Sequence, residues 1–229
     1  MAPEKMQTIP VPSITPGDDV VKALNLLLHD LRTPVSVAQG YLRLLREDRL
    51  SDSKDRQRAI AQSMEALGRI SELCAGAGEF ANAISPAEAR RYPTAELVKA
   101  LDAEAHANGL SLDVPDPLLG GHVRALAPAQ AAAAVAAIVL AALRNDPART
   151  PRMSAGINAA DLVVASGDDA TRARLIAPTR HDAFNEWRGG NGLRVPLAAK
   201  QLRETGARIW TLVDESAAVG IAIPLELDA

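Results

Sequence analysis

The sequence predicts an α+β protein: a two-helix hairpin suited to dimerising into a four-helix bundle, then a mixed helix-and-strand domain. Three observations carry this. Apolar residues recur at spacings that alternate between three and four through two long stretches. A short polar segment, Glu47 to Lys54, separates the two stretches. After Ser85 and Pro86 the pattern gives way to shorter helical and strand-like runs.

The elements follow in order. Residues 1–17, with Pro3, Pro10, Pro12 and Pro16 and no helical periodicity, read as a mobile lead-in. Asp18 and Asp19 suit a helix start, because carboxylates are favoured at the positive end of the helix dipole. Val21, Leu24, Leu28, Leu31, Val35, Ala38, Leu42 and Leu45 then form one seam, predicting a helix from about Asp18 to Arg46. A second helix carries Ile60, Met64, Leu67, Ile70, Leu73 and Phe80 as its stripe. A lone hairpin leaves one stripe partly uncovered, and pairing two hairpins covers it, so a homodimer is expected. This first domain is set at residues 18–86.

Residues 87–229 form the second domain. Ala95 to Ala107 and the Ala-rich Pro128 to Arg144 read as helices. Leu110 to Val114, Asp161 to Ala165, Ile209 to Val213 and Val219 to Leu225 read as strands. Arg90 and Arg91, before Tyr92, read as a solvated linker.

Composition narrows the classes. Of 229 residues 48% are hydrophobic but only 3% aromatic, so the core must be built of Ala, Leu, Val and Ile. A net charge of −3 argues against a nucleic-acid partner, which calls for a basic surplus. The most apolar run, Ala131 to Leu143, is shorter than the roughly 20 residues that span a bilayer, and no secretory-signal core opens the chain. No membrane partner is expected. A single cysteine, Cys74, cannot make an internal disulfide, so the expected setting is the reducing cytoplasm. Cys74 sits between Leu73 and Ala75 and is expected to pack as a small apolar residue.

The chemistry-bearing segment is His29-Asp30-Leu31-Arg32-Thr33-Pro34, inside the first helix. With Leu28 and Leu31 assigned to the buried seam, His29 lies about 100° past Leu28, at the edge or outside of the bundle. Thr33, four residues on, faces the same way one turn above. A neutral imidazole nitrogen is a competent nucleophile toward phosphorus. The neighbouring carboxylate of Asp30 can orient the ring and hold the proton of its other nitrogen. Pro34 removes one helical hydrogen bond and frees the carbonyl of Asp30.

His29 to Pro34, continuing as Val35-Ser36-Val37-Ala38-Gln39-Gly40-Tyr41-Leu42, resembles the H-box of bacterial sensor histidine kinases. The resemblance implies that His29 is phosphorylated, that Asp30 assists, and that Thr33 supports phosphatase chemistry. It implies that Arg32 and Pro34 belong to the surface that docks a partner, namely a response-regulator receiver domain. The family's dimerisation domain is a hairpin paired into a four-helix bundle. Its second domain, an α/β sandwich that binds ATP, is similar in outline to residues 92–229. Thr94-Ala95-Glu96-Leu97-Val98 resembles the start of that domain's first helix. Gly189-Gly190-Asn191-Gly192-Leu193 resembles its second glycine-rich box, and Ala207 to Trp210 with Val219 to Leu225 resemble its closing hairpin.

Measured against that pattern, the nucleotide chemistry has gaps. Ala141 stands where the family places a metal-binding Asn, and alanine cannot ligate a cation. Asn145 is four residues later. The glycine-containing box that grips adenine is reduced to Ser166-Gly167-Asp168-Asp169-Ala170, and Arg194 replaces a small residue after the glycine-rich box. No cofactor is expected; ATP and magnesium would apply only if this domain were active. In that case Asn145, Gly190 and Gly192, with Asp168 or Asp169, are the residues to hold them.

His106, His122 and His181 share no metal-ligand spacing, and Ser154, Ser166 and Ser216 sit in no nucleophile elbow. Three functions remain open. The first is a histidine phosphotransferase that relays phosphoryl groups between receiver aspartates through His29, without using ATP. The others are an active histidine-kinase core and a non-catalytic pseudokinase that binds and regulates a response regulator.

Overall fold

The computed structural model describes residues 16–82, 89–114, 121–177, 180–188, 190–213 and 215–226. The lead-in expected at 1–17 lies outside the described residues except for its last two positions, as does the Ser85–Pro86 junction. The chain divides into two compact units. One takes the described residues between 14 and 85 together with Trp187–Arg194; the other takes those between 86 and 186 and between 195 and 229.

The first unit is a helical hairpin. Helix α1 spans Pro16–Arg46 and helix α2 spans Ser53–Asn82. Asp18 and Asp19 lie in the first turn of α1 and Arg43 and Arg46 in its last, so both ends complement the helix dipole. Past the end of α1, Asp48 adopts a left-handed φ of 51°, which lets the Arg49 amide reach the Leu44 carbonyl at 3.1 Å. Asp52 then starts α2 by accepting from the Lys54 amide at 3.0 Å. Arg56 braces the turn with bonds to the Leu50 carbonyl (2.7 Å) and Asp48 (2.5 Å).

The residues that bury themselves in this hairpin match the seam expected from the sequence only at Ala38 and Leu73. Ala23, Leu26, Pro34 and Ala38 of α1, with Ala59, Ser63, Ala66 and Leu73 of α2, are the buried ones. Val21, Leu24, Leu28, Leu42, Ile60, Met64 and Leu67 are exposed, Leu28 at 55% and Met64 at 68%. Leu31 is half-buried. The reason is side-chain size. The residues that close the hairpin are mostly Ala, Ser and Pro, which signal weakly in hydropathy, so counting apolar periods selects the bulkier outward stripe. Cys74 is likewise exposed rather than packed, one position past the buried Leu73.

The second unit is a sheet with helices on both faces. Its elements are β1 (Arg90–Pro93), α3 (Thr94–Ala107), β2 (Ser111–Asp113), β3 (His122–Ala125), α4 (Pro128–Leu143), β4 (Arg152–Asn158) and β5 (Asp161–Ser166). They continue as α5 (Asp169–Ile176), β6 (His181–Ala183), α6 (Arg194–Glu204), β7 (Arg208–Leu212) and β8 (Glu215–Glu226). The strand order is β1-β3-β8-β5-β4-β2, with β7 also paired to β8 and β6 to β7. All pairs are antiparallel except β2 with β4.

Alternation along β5 sets the two layers. Leu162 and Val164 point into the main core with Leu101, Val135, Ile138 and Ile221, beneath α3, α4 and α6. Val163 and Ala165 point the other way, against Leu175 of α5 and Trp210 of β7. The Trp210 indole N–H donates to the Leu175 carbonyl at 3.0 Å and so is satisfied where it is buried. The α+β class, the hairpin and the sandwich-like sheet domain stand as expected.

Arg90 and Arg91 are not a linker but part of an edge strand, in register with Ala125 and Arg124 of β3. Their side chains are exposed while their backbone pairs, so polarity alone misreads them. Among the described residues no helix is long and apolar enough to cross a membrane.

Candidate phosphoacceptor site

His29 lies near the middle of α1 with its side chain 73% exposed, whereas the side chain of the next residue, Asp30, is 5% exposed. The turn of about 100° per residue on a helix explains the contrast: one residue faces solvent, the next faces inward. The imidazole Nδ1 lies 3.1 Å from Asp30 Oδ1. The Gly190 amide donates to both Asp30 oxygens, at 3.0 and 3.1 Å, and the Gly192 amide donates to Oδ2 at 2.9 Å. Burial on its own would raise the Asp30 pKa. The bonds from Gly190, His29 and Gly192 outweigh it and hold the carboxyl below its ordinary range.

An ionised carboxylate only accepts hydrogen bonds. In a neutral ring the His29 nitrogen facing it is then the one that carries the proton, which leaves the Nε2 lone pair free. This is the form of imidazole that can attack phosphorus.

Around this pair lies a cleft of about 430 Å³. Thr33, Pro34 and Val37 of α1 line it with Gln62, Glu65 and Arg69 of α2 and with Gly190. Of the residues expected at the site, the structure gathers His29, Asp30, Thr33, Pro34 and Gly190 in this cleft. Arg32 is exposed on α1 outside its lining.

Gly190 and Gly192, proposed as cofactor contacts, here direct their amides at Asp30. Asn145 is exposed just past α4, its amide bonded to the Ala142 carbonyl at 3.0 Å. Ala141 is buried in α4. Asp168 is the N-cap of α5, accepting from the Thr171 amide at 2.9 Å and the Thr171 hydroxyl at 2.8 Å. Asp169 pairs with Arg172. Ser166 is buried between strands, donating to the Ala217 carbonyl and accepting from the Val219 amide. His106 is exposed on α3, while His122 sits on β3 beside Arg91 and His181 on β6 beside the Trp210 ring. Among the described residues no three of His, Cys, Asp and Glu gather as a metal-binding group.

Gln62, Glu65 and Arg69 were missed. The signal existed in the hairpin itself: antiparallel helices bring together residues equally distant from the connecting turn. With the turn near residues 48–52, His29 and Thr33 fall opposite the 66–70 region of α2.

A two-helix hairpin that presents an exposed imidazole, its Nδ1 held by a buried carboxylate, is built as a phosphoacceptor domain. Residues 22–76 match the family described as His Kinase A (phospho-acceptor) domain. That stretch, which holds both His29 and Asp30, is similar to the phosphoacceptor hairpin of histidine kinases. In fold it is similar to histidine kinase ThkA, solved in complex with response regulator protein TrrA. The TM-score is 0.56 at 14% identity, covering 91% of this chain and 61% of that one. Acinetobacter baumannii histidine kinase AdeS matches at a TM-score of 0.47 and 15% identity, over 88% of this chain and 98% of that one. A bacterial phosphotransferase matches at a TM-score of 0.44 and 14% identity, over 94% of this chain and all of the other. No curated protein sequence is significantly similar to this chain.

Proposed function

We propose that the chain is a histidine phosphotransferase, passing phosphoryl groups through His29 to and from the aspartates of response-regulator receiver domains without using ATP. The observation that carries this is the His29–Asp30 pair, an exposed ring fixed by a buried, ionised carboxylate. In the forward step Nε2 attacks the phosphorus of a receiver aspartyl phosphate. An N–P bond forms, the P–O bond to the aspartate breaks, and the aspartate leaves as a carboxylate. The Nδ1 proton stays on the ring and is donated to Asp30, whose carboxylate stabilises the positive charge that develops there. The reverse step returns the phosphoryl group to a second receiver. The receiver brings the metal ion and acidic pocket; this chain brings the nucleophile on a rigid helix and the docking surface.

Thr33, one turn from His29 and in the same cleft, is the residue for a phosphatase step. Arg32 and Pro34 belong to the docking face. Two hairpins pair through the outward stripe of Leu24, Leu28, Ile60 and Met64 into a four-helix bundle, and the dimer works in the cytoplasm. Independence from ATP is supported by Ala141 at the metal-ligand position, by Asp168 serving as a helix cap, and by the glycine amides engaged with Asp30.

The test is transfer from receiver domains charged with acetyl phosphate. Wild type should acquire an acid-labile phosphoramidate, and His29→Ala should acquire none while remaining dimeric. Label persisting on His29→Ala would overturn the assignment. The kinase reading would be favoured instead if His29 labels from ATP and magnesium alone. The pseudokinase reading would be favoured if neither donor labels it.

A further inference from the structure

The glycine turn does more in this fold than close a loop. Gly190 and Gly192 have φ of 93° and 59°, left-handed values that glycine adopts freely, and their two amides point to one side. The anion they hold is Asp30, through the three contacts described above. The turn is itself anchored at three points within the hairpin unit. Arg69 donates to the Gly190 carbonyl at 3.3 Å while its other nitrogen reaches Glu72 at 3.0 Å. Leu193 is buried with Ala23 and Leu26. Trp187 meets the ring of Phe80 edge-on, centroids 6.3 Å apart, and lies 5.8 Å from the Lys22 ammonium. A Cβ on Gly192 would stand 2.8 Å from Leu73 Cδ2, so the turn has little room to shift toward α2.

We propose that the 190–192 turn, latched by Arg69, is a positioning element of the phosphoacceptor site. It fixes the Asp30 carboxylate so that one oxygen always faces His29 Nδ1, which keeps the ring in the Nδ1–H tautomer with Nε2 ready to attack. Without the turn, Asp30 would be free to rotate its carboxylate. The ring would then return to the free-imidazole preference for a proton on Nε2, which blocks the nucleophilic nitrogen. Arg69 acts through Gly190 and Asp30 rather than on the phosphoryl group.

The inference rests on His29 being the phosphoacceptor, yet its test does not require transfer to work. The full chain with ¹⁵N-labelled histidine is compared as wild type, Arg69→Gln, Arg69→Lys, Gly190→Ala and Asp30→Asn, reading the two ring nitrogens of His29 in alkaline buffer. Wild type should show Nδ1 as the protonated nitrogen and Nε2 as the bare one. Asp30→Asn, Gly190→Ala and Arg69→Gln should shift the population toward Nε2–H. Arg69→Lys, which can still donate to the Gly190 carbonyl, should restore most of the wild-type form. Phosphotransfer from a charged receiver should fall about tenfold to a hundredfold with the tautomer.

Arg69 is partly exposed, so its variants test the latch without threatening the fold. An unchanged tautomer in Arg69→Gln and Gly190→Ala, with helical content intact, would overturn the proposal. A wild-type tautomer with no transfer from any charged receiver would instead contradict the phosphotransferase reading and leave the positioning role standing.

Discussion

The two units of this chain use their polar residues in opposite ways. In the hairpin, His29 is exposed and its neighbours are arranged around it: a buried carboxylate at 3.1 Å, two glycine amides behind that, and Arg69 behind them. In the α/β unit the polar groups at comparable positions serve the fold. Asp168 caps a helix, Ser166 joins two strands, and Glu215 bridges Arg149 and Arg174. Glu215 would be raised by burial, but its bonds from the two arginines lower it, as in a structural ion pair. The same residue types thus surround an exposed imidazole in one unit and serve capping and pairing in the other.

Substitutions can break this contrast. The largest effect should come from His29→Ala: phosphotransfer should drop by at least about a thousandfold, because the nucleophile is gone. Its melting temperature should barely move, since the side chain is exposed. Asp30→Ala should come next, lowering transfer roughly a hundredfold. It should also destabilise the hairpin by about 1–3 kcal/mol, because the Gly190 and Gly192 amides lose their acceptor. Urea unfolding beside a transfer assay separates the two effects.

The mirror-image substitution is Leu162→Ala in the α/β unit. Leu162 is fully buried, so stability should fall by about 2–5 kcal/mol while transfer per folded molecule stays at the wild-type rate. A transfer defect below the melting temperature would mean that the α/β core shares in the chemistry. Leu28→Asp or Met64→Glu, on the outward stripe, should leave helical content unchanged and convert the dimer to a monomer in sedimentation. A dimer that persists would place the interface elsewhere.

The smallest effect is one of pH. The Asp30 pKa is lowered on folding, so its contribution to stability is complete above its unfolded value, about 3.9, and is lost as pH falls through the lower folded value. Wild type should therefore lose stability below about pH 4 more steeply than Asp30→Asn. Parallel acid curves would show that the carboxylate is not held by the turn.

The sequence made part of this legible, and for local reasons. His29, Asp30 and Thr33 carry their chemistry in adjacent or helically spaced positions, so one stretch of chain reveals them. The turn at 190–192 was recognisable as glycine-rich, but its attachment to Asp30 is a contact across about 160 positions that no periodicity encodes. The hairpin's inner surface was largely misassigned because Ala23, Ala59 and Ala66 are small, while Leu28 and Met64 are large and outward. Strand β1 was hidden by its arginines and α5 by its short length and polar composition. Helix α6 was legible and overlooked: Val195, Ala198, Ala199 and Leu202 have helical spacing and are buried.

The contrast between the units is tested most directly by calorimetric titration of the full chain with a non-hydrolysable ATP analogue and magnesium. No binding heat is expected at millimolar nucleotide, a result that leaves His29 dependent on another protein for its phosphoryl group. Micromolar binding would contradict it and make the α/β unit a working nucleotide site.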